Sequence, residues 1–363
     1  MLPEQSRGIV NVAASLKRYK KAAPSHHNLL ERQEREAMDT VSHLLFGATL
    51  AGMAHLQPEV AADPALSAAI LTAALIGSHA PDFDSALRLK GPDAYVKHHR
   101  GFSHSIPALL VWPLLIGGPS SWLWGAGEHA ALVCAWTFAA VVLHVLFDLT
   151  NAYGVQCLWP FRRKWLHLDA LCLTDIALVL LHGIAAGGWA LGVWADPGAV
   201  CLAAWVATAV YTVWRTVHHA IVVRRVKRRF GRPLAVHVLP GLWWFTWQYV
   251  VQADTGEFHL GVIKGRRMLP FDTLPKPQDA EEHACVRVSR GTANVQALLR
   301  FAKRVYVKWQ AQQDGGFLVT WTDLRFWRDK DWPFRAEVRL DDKLNVVEQR
   351  IGWHKKAWEP PYV

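Results

Sequence analysis

Long apolar stretches separated by short polar connections occupy the first two thirds of the chain. Apolar residues dominate six segments, at 41–56, 65–80, 106–125, 129–150, 172–194 and 198–222. The last four approach or exceed the roughly 20 residues that a helix needs to span a bilayer. The first two are shorter and are compatible with re-entrant, tilted or buried helices. The pattern predicts a mainly α fold, a polytopic membrane bundle of about six apolar helices, with five or four spans as alternatives.

The pattern changes character after residue 222. Strand-like β-branched and aromatic content marks the segments 243–251, 257–263, 317–320 and 336–340, and residues 292–308 have the pattern of one amphipathic helix. We therefore predict three regions. They are a polar N-terminal extension over 1–37, disordered or loosely helical, a helical membrane domain with a metal site over 38–222, and a cytoplasmic α+β or mainly β domain over 223–363. Met38 would also serve as a start, so translation from Met1 or from Met38 stays open.

The distribution of charged residues along the chain favours the interpretation as a membrane protein. Hydrophobic residues make up 52% and charged residues 19%, with a net charge of +10. Lys and Arg cluster before the first apolar segment and in every second connection, whereas the connections near 57–64, 117–128 and 195–197 contain none. This asymmetry predicts a multi-pass protein of the bacterial inner membrane with both termini in the cytoplasm. A soluble all-α protein would have no reason to sort its charges by alternate loops.

The five cysteines are Cys134, Cys157, Cys172, Cys201 and Cys285, and no two of them form a CxxC pair. This dispersed, odd-numbered set argues against a disulfide framework and against a cysteine zinc site.

Histidine and aspartate residues lie at one end of the predicted helices. His43 lies near the start of the first apolar segment. The remaining members of the set end or follow the second segment, precede the third, end the fourth and open the fifth: His79, Asp82, Asp84, His98, His99, His104, His144, Asp148, Asp169 and Asp175. Given the predicted topology, all of them lie on the cytoplasmic side. Ionisable groups inside a membrane domain are costly unless they serve a function, and helical bundles build metal sites from side chains on facing helices.

The individual motifs have simpler explanations when each is taken alone. His144 and Asp148 are four residues apart and therefore share a helix face. A plain hydrogen bond between the two side chains is the alternative explanation for this spacing. Asp82 and Asp84 follow Pro81, and the alternative explanation for them is that they stabilise a turn. The sequence His99-Arg100-Gly101-x-Ser103-His104-Ser105 is more specific, because two histidines flank a glycine that permits a tight turn. Arg100 could hold an anionic substrate oxygen there, although a solvated basic loop is the alternative.

Taken together, these motifs resemble the YdjM-like family of inner-membrane proteins, which are described as metal-dependent hydrolases. The resemblance rests on Met38-Asp39-x-x-x-His43, Gly77-x-x-x-Pro81-Asp82-x-Asp84, the His99–Ser105 block and His144-x-x-x-Asp148. The family is distantly similar to zinc-dependent phospholipases C and single-strand nucleases. The resemblance implies His43, Asp82, Asp84, His99, His104, His144 and Asp148 as metal ligands. Segments around residues 323–325 and 338–341 are also similar to the C-terminal domain of some members.

The leading hypothesis is a membrane-bound hydrolase that uses a divalent metal, Zn²⁺ first and Mn²⁺ or Fe²⁺ as alternatives. It would act on a phosphoester or lipid-linked substrate at the cytoplasmic face, with Arg100 stabilising anionic charge and an unligated group such as Asp84 as general base. One alternative is a transporter or metal-handling membrane protein. Another is a membrane-anchored interaction protein with a structural metal site. The basic run at 224–229 directly follows a predicted span, which favours contact with membrane lipids over nucleic acid.

Overall fold

The computed structural model describes residues 27–276, 283–328 and 331–354, with side chains from residue 40 onward. Predictions for residues 1–26 lie outside this part of the chain. In chain order, the helices of the described residues are α1 (His27–Ala54), α2 (Pro58–Ala62), α3 (Pro64–Gly77), α4 (Pro92–His98), α5 (Ile106–Leu123), α6 (Ala130–Thr150), α7 (Ile176–Ala190), α8 (Pro197–Phe230), α9 (Ala284–Arg290) and α10 (Ala293–Phe301). The strands are β1 (Ala235–Pro240), β2 (Thr246–Gln252), β3 (Phe258–Lys264), β4 (Arg267–Leu274), β5 (Val305–Ala311), β6 (Phe317–Asp323), β7 (Phe334–Leu340) and β8 (Val346–Trp353). Short 3₁₀ segments occur between them, at Ala80–Lys90, Phe102–His104, Gly127–His129 and Leu324–Phe326.

Several apolar helices begin at a polar cap. The Asp63 side chain accepts a hydrogen bond from the Ala65 amide at the start of α3, and Asp196 does the same for the Ala199 amide at the start of α8. A proline follows each of these caps directly, and its fixed φ suits the first helical turn. Short polar residues before the apolar segments therefore set where the helices start.

Six apolar helices are present, but the prediction of six membrane spans is not supported. Among the described residues, three helical stretches are long and apolar enough to cross a membrane: Ile106–Leu123, Gly127–Thr150 and Pro197–Phe230. A fourth is added if α3 and the segment Ala80–Lys90, bent by 42° at their junction, count as one span. The stretches Thr40–Ala54 and Ile176–Ala190 are shorter, and about 15 residues rise only about 22 Å, against a hydrocarbon core of about 30 Å.

Two four-stranded antiparallel sheets follow the bundle, with strand orders β1-β2-β3-β4 and β5-β6-β7-β8. The predicted strand segments are found in β2, β3, β6 and β7. The single helix predicted over 292–308 is wrong in its second half, because α10 ends at Phe301 and β5 begins at Val305. The alternating Val305, Val307 and Trp309 suit a strand that pairs with β6, and this tertiary pairing overrides the helical pattern.

The helical part and the sheets share hydrophobic cores. α8 continues beyond the bundle, and Val222 and Val226 pack on the first sheet against Trp247 and Tyr249. Ala152 and Trp165, from the connection between α6 and α7, are buried in the core of the second sheet. The same connection follows the end of α6, which carries His144 and Asp148. The second sheet therefore packs beside the predicted site.

Candidate metal centre

Four side chains from three chain segments meet at one end of the bundle. Asp82 lies in the 3₁₀ segment that follows α3, and His104 lies in the 3₁₀ turn that precedes α5. His144 and Asp148 occupy the last two turns of α6 on one face. All four residues are buried, and one ligand atom from each lies within 4.8 Å of the others. These are four of the seven residues that the family resemblance implied as ligands.

The inward-facing atoms are two imidazole nitrogens and two carboxylate oxygens. His104 Nε2 lies 3.1 Å from Asp148 Oδ2 and 3.4 Å from Asp82 Oδ1. His144 Nε2 lies 3.5 Å and 3.6 Å from the same two oxygens, and the two Nε2 atoms are 3.3 Å apart. Two nitrogens and two oxygens form a donor set that suits Zn²⁺, Mn²⁺ or Fe²⁺.

In both imidazoles, the hydrogen bond made by Nδ1 fixes Nε2 as the nitrogen that faces the four-residue cluster. His144 Nδ1 lies 2.7 Å from the Ser78 carbonyl oxygen, which can only accept, so Nδ1 carries the proton. Ser103 Oγ donates its only proton to Asp84 Oδ2 at 2.6 Å. The same oxygen lies 2.9 Å from His104 Nδ1 and therefore accepts from it. In the neutral ring, each Nε2 then presents its lone pair to the centre, which is the arrangement of a metal-binding histidine.

The surroundings of two carboxylate oxygens indicate whether a cation fits this arrangement. Asp82 Oδ1 and Asp148 Oδ2 are fully buried, and neither accepts a hydrogen bond of proper geometry, although imidazole nitrogens lie close by. Buried carboxylate oxygens are normally paired, and two facing lone pairs on nitrogen repel each other. A divalent cation between the four atoms would satisfy all of them. The residues present therefore fit a metal ion, and the donor set does not distinguish which one.

The charge balance around His104 agrees with this conclusion. Burial lowers the pKa of His104, but its contacts with Asp148 and Asp82 outweigh burial, and the pKa is raised above its ordinary value. The two carboxylates therefore favour a positive charge at this position, whether it comes from a proton or from a metal ion.

Asp84 and His99 form a layer behind His104. Asp84 Oδ1 accepts a hydrogen bond from His99 Nδ1 at 2.6 Å, and Asp84 Oδ2 accepts from Ser103 Oγ and from the Arg100 amide at 3.0 Å. Asp84 and His99 also form, with Asp82, a second group whose ligand atoms lie close enough to hold an ion. The hydrogen bonds show Asp84 orienting His104 through Ser103, a contact that the sequence did not reveal.

Arg100 faces the protein interior. Its guanidinium donates to Asp148 Oδ1 at 2.9 Å and to Asn151 Oδ1 at 3.1 Å, and its side chain is buried. Its backbone has a φ of 58°, in the left-handed region that non-glycine residues rarely occupy. This turn directs both the Arg100 amide and its guanidinium at the carboxylates of the site. In this arrangement Arg100 holds a site carboxylate, whereas the sequence suggested that it would hold a substrate oxygen.

His43 lies beside the four-residue cluster. Its ring stacks on His144 at 3.9 Å between centroids, and His43 Nε2 is 3.8 Å from Asp148 Oδ1. A small cleft lies on this side of the site, lined by the polar side chains of His43, Asp148, Asn151 and Asp175 and by apolar side chains: Phe46, Phe147, Leu171, Leu173 and Leu178. The cleft thus borders the candidate metal centre at His43 and Asp148.

Some contributors were missed by sequence reasoning. The Ser78 carbonyl has no signature in the sequence, because any residue supplies a carbonyl. Ser103 belongs to the His99–Ser105 motif and Asn151 lies three residues after Asp148, but the sequence did not reveal the role of either side chain. Asp175, which opens the fifth apolar segment, caps α7 and accepts a hydrogen bond from the Tyr211 hydroxyl at 2.8 Å. It lines the cleft and does not join the four-residue cluster.

The fold and the cluster define a class: a helical membrane protein with a buried His/Asp centre that could hold a metal ion, joined to a two-sheet antiparallel β domain. Residues 38–222 match the YdjM inner membrane protein family, and residues 284–358 match the YfhP C-terminal alpha/beta plait domain. The chain belongs to the YdjM inner membrane protein family, which confirms the resemblance seen in the motifs. It is also 31% identical over 321 residues to the uncharacterized protein YfhP of Bacillus subtilis (strain 168), covering 87% of this chain and 95% of that protein. No solved structure matches the chain.

Proposed function

We propose that the chain is a metal-dependent hydrolase that cleaves a phosphoester in an amphiphilic, lipid-like substrate at the membrane surface. The observation that carries the proposal is the pair of imidazoles His104 and His144. Their Nε2 atoms are turned by fixed outer hydrogen bonds toward two buried carboxylate oxygens without hydrogen bonds of their own. Such preorganised ligands beside a cleft are typical of a catalytic metal site.

Four residues would hold the metal: Asp82, His104, His144 and Asp148. A bound Zn²⁺, Mn²⁺ or Fe²⁺ would lower the pKa of a water molecule and polarise a phosphoryl oxygen. His43 is the imidazole that lines the cleft and lies outside the four ligands, so we assign it the role of accepting the proton of the attacking water. Arg100 acts through Asp148, which it orients, and Asp84 acts through Ser103 and His104.

The location of the site supports an amphiphilic substrate. The small cleft beside the centre is lined by polar groups and by leucine and phenylalanine side chains from α1, α6, α7 and the residues before α7. A phosphate group at the metal centre of a membrane protein would leave the apolar chain of its substrate in the surrounding lipid, where burial of each CH₂ group contributes about 0.8 kcal/mol. Membrane lipids or lipid-linked phosphoesters have this form.

The membrane orientation is part of the proposal. The sorting of Lys and Arg into alternate connections supports an inner-membrane protein with both termini in the cytoplasm. Asp82, His104 and the end of α6 lie at the ends of helices next to the basic connections. We therefore assign the site to the cytoplasmic face.

A transport function has less support. Both groups of metal-capable residues in the described part of the chain share Asp82 and lie at the same end of the bundle. His182, within the bundle, bonds to the hydroxyls of Thr49 at 2.7 Å and Thr208 at 2.8 Å, which is a satisfied structural contact. An ion route would require ligands through the depth of the membrane.

The test uses the full chain in detergent or nanodiscs, stripped of metal and reloaded with Zn²⁺, Mn²⁺ or Fe²⁺. Hydrolysis is measured on a phospholipid and on a water-soluble ester with the same head group. We expect activity to require metal, to favour the phospholipid and to disappear in His144→Ala. Activity should persist in His55→Gln, which changes a histidine that bonds Ser67, away from the cluster. A protein that binds metal in stoichiometric amount but hydrolyses neither ester would refute the proposal and support a structural metal.

A further inference from the structure

The hairpin between β1 and β2 carries three consecutive exposed aromatic residues. Trp243, Trp244 and Phe245 are 74%, 51% and 54% exposed. Large aromatic side chains exposed next to one another are uncommon on a surface that faces only water, and they mark a surface that contacts a partner. The surroundings of the hairpin indicate which kind of partner lies against them.

The hairpin packs along the membrane helix α8. The Trp244 ring lies 6.4 Å from Tyr211 and 6.1 Å from Trp214, and the Phe245 ring lies 5.5 Å from His218. Arg215, buried beneath the hairpin, donates a hydrogen bond to the Trp244 carbonyl and another to the Ala170 carbonyl. The position of the three aromatic residues along α8 is therefore fixed between residues 211 and 218.

The exposed side chains on one face of α8 indicate how deep in the membrane the hairpin lies. Exposed apolar residues recur every three or four positions along that face, at Leu202, Val206, Val210, Val213, Val217 and Ile221. This spacing is one helical stripe, and on a membrane-spanning helix such a stripe faces lipid. The stripe continues to Ile221, whereas the hairpin contacts the helix between Tyr211 and His218. At 1.5 Å per residue, the hairpin lies roughly 5–15 Å inside the end of the lipid-facing stripe.

Basic residues follow where the stripe ends. Arg224, Lys227, Arg228 and Arg229 are exposed on the next turns of α8. The aromatic rings therefore lie beside the last turns of the apolar stripe, and the basic side chains follow the end of the stripe, as groups near one surface of a bilayer do. Tryptophan favours the boundary between acyl chains and head groups, and Lys and Arg favour the anionic head groups beyond it.

We propose that Trp243, Trp244 and Phe245 insert into the lipid interface of the same membrane that α8 crosses, and so hold the first sheet against the bilayer. The partner is a lipid surface with anionic head groups. Insertion of the hairpin does not depend on catalysis, because the hairpin touches none of the four candidate ligands. It makes the sheet domain a membrane-bound part of the protein rather than a tethered soluble one.

The first test measures fluorescence quenching of the full chain in nanodiscs by lipids brominated near the glycerol backbone. The chain has 19 tryptophans, so the variant Trp243→Phe with Trp244→Phe is compared with the unchanged protein. Removing two tryptophans that lie in lipid lowers the quenched fraction of the emission. Removing two that lie in water or against another protein leaves the fraction unchanged or raises it, and that result would overturn the proposal.

The second test can be interpreted even if the substitution alters the stability of the protein. A photo-crosslinking amino acid replaces Trp243 in one protein and Trp309, an outward residue of β5, in another. After irradiation in nanodiscs, lipid adducts are counted by mass spectrometry. We expect several-fold more lipid adduct at position 243 than at 309, with anionic lipid enriched over its share of the disc. Equal adduct at both positions, or adducts only with protein at 243, would contradict insertion.

Discussion

Small groups outside the four candidate ligands decide what those ligands can do. Ser103 has one proton, which Asp84 accepts, so the serine oxygen is left to receive the Nδ1 proton of His104. Without Asp84, the serine could donate to Nδ1 instead and turn the protonated nitrogen toward the centre. The Asp84–Ser103–His104 chain of hydrogen bonds therefore selects the tautomer that can bind a metal.

Ser103→Ala should lower the affinity of the protein for Zn²⁺ by roughly 10- to 100-fold, because the orientation of His104 is lost while all four ligands remain. Competition with a chromogenic chelator measures the affinity. Ser105→Ala is the matched control, since Ser105 is also buried but caps α5 through the Ala108 amide. Its loss should reduce the free energy of unfolding by about 1 kcal/mol and leave the Zn²⁺ affinity unchanged. Equal affinities in the two variants would show that Ser103 has no orienting role.

His237 in β1 should make stability depend on pH. Burial, reinforced by the charges of Arg325 and Arg304, lowers the pKa of His237 to about 2. In the unfolded chain the pKa of this histidine is about 6.5, so below that pH the unfolded state binds a proton that the folded state does not bind. We expect the unfolding temperature to fall as the pH drops below about 6.5. His237→Gln, measured by the same thermal scans, should flatten the fall, and an unaltered pH profile would argue against this origin.

Much of the candidate site could be read from the sequence at this scale, and the missing part has a physical reason. Asp82, His104, His144 and Asp148 were among the ligands that the family resemblance implied, and their residue types and positions near helix ends agreed with a metal site. The partner of Arg100 was not identifiable, because Asp148 is 48 positions away in the chain and the contact depends on a left-handed turn at Arg100 itself. The role of the Ser78 carbonyl depends on backbone position alone.

At the scale of elements, apolar length predicts helices well and membrane spans less well. α3 is as apolar as a span, yet Leu66, Ile70 and Ala73 are buried among its neighbours, and it ends at Gly77. Composition gives the same signal for a buried core helix and for a short span. The helix predicted over 292–308 failed for a related reason, since the pairing of β5 with β6 lies outside any local pattern.

One short 3₁₀ element connects the two parts of the molecule through a buried arginine that also forms an ion pair. Arg325 contacts Asp323 Oδ2 at 2.8 Å and donates to the Ala152 carbonyl at 3.1 Å, next to Asn151 of the site. Arg325→Met should reduce the free energy of unfolding by about 3–5 kcal/mol, because Asp323 is left buried without its cation. Chemical denaturation followed by far-UV circular dichroism measures the change. The double variant with Asp323→Leu should be less destabilised than Arg325→Met alone, and a double variant that is at least as unstable would exclude this explanation.

At the scale of the whole molecule, the sheets complete the helical part. Tyr153 packs against Phe301, Phe326 and Trp353, and Val96 of α4 packs on the same core. α4 leads directly to His99, and Tyr153 follows Asn151 by two residues. The second sheet therefore braces two of the loops that form the candidate metal centre.

A chain that ends at Phe230 should consequently lose metal as well as the sheets. Truncation would expose Tyr153, Trp165 and Val96, and the loops that carry His99 and Asn151 would lose their support. We expect lower metal content by elemental analysis and a lower unfolding temperature than for the full chain, while membrane insertion is retained. A truncated protein with full metal content would show that the helical part is a self-contained metal-binding unit.

The packing of Tyr153 on Trp353 also bears on how the protein is made. The ribosome delivers the bundle, with all four candidate ligands, long before it delivers the last strand. Until β8 pairs with β7 and Trp353 reaches Tyr153, the loop after α6 lacks the neighbours that order it. The packing that braces the candidate centre is therefore complete only when the whole chain has been made, and a prematurely terminated product would lack it.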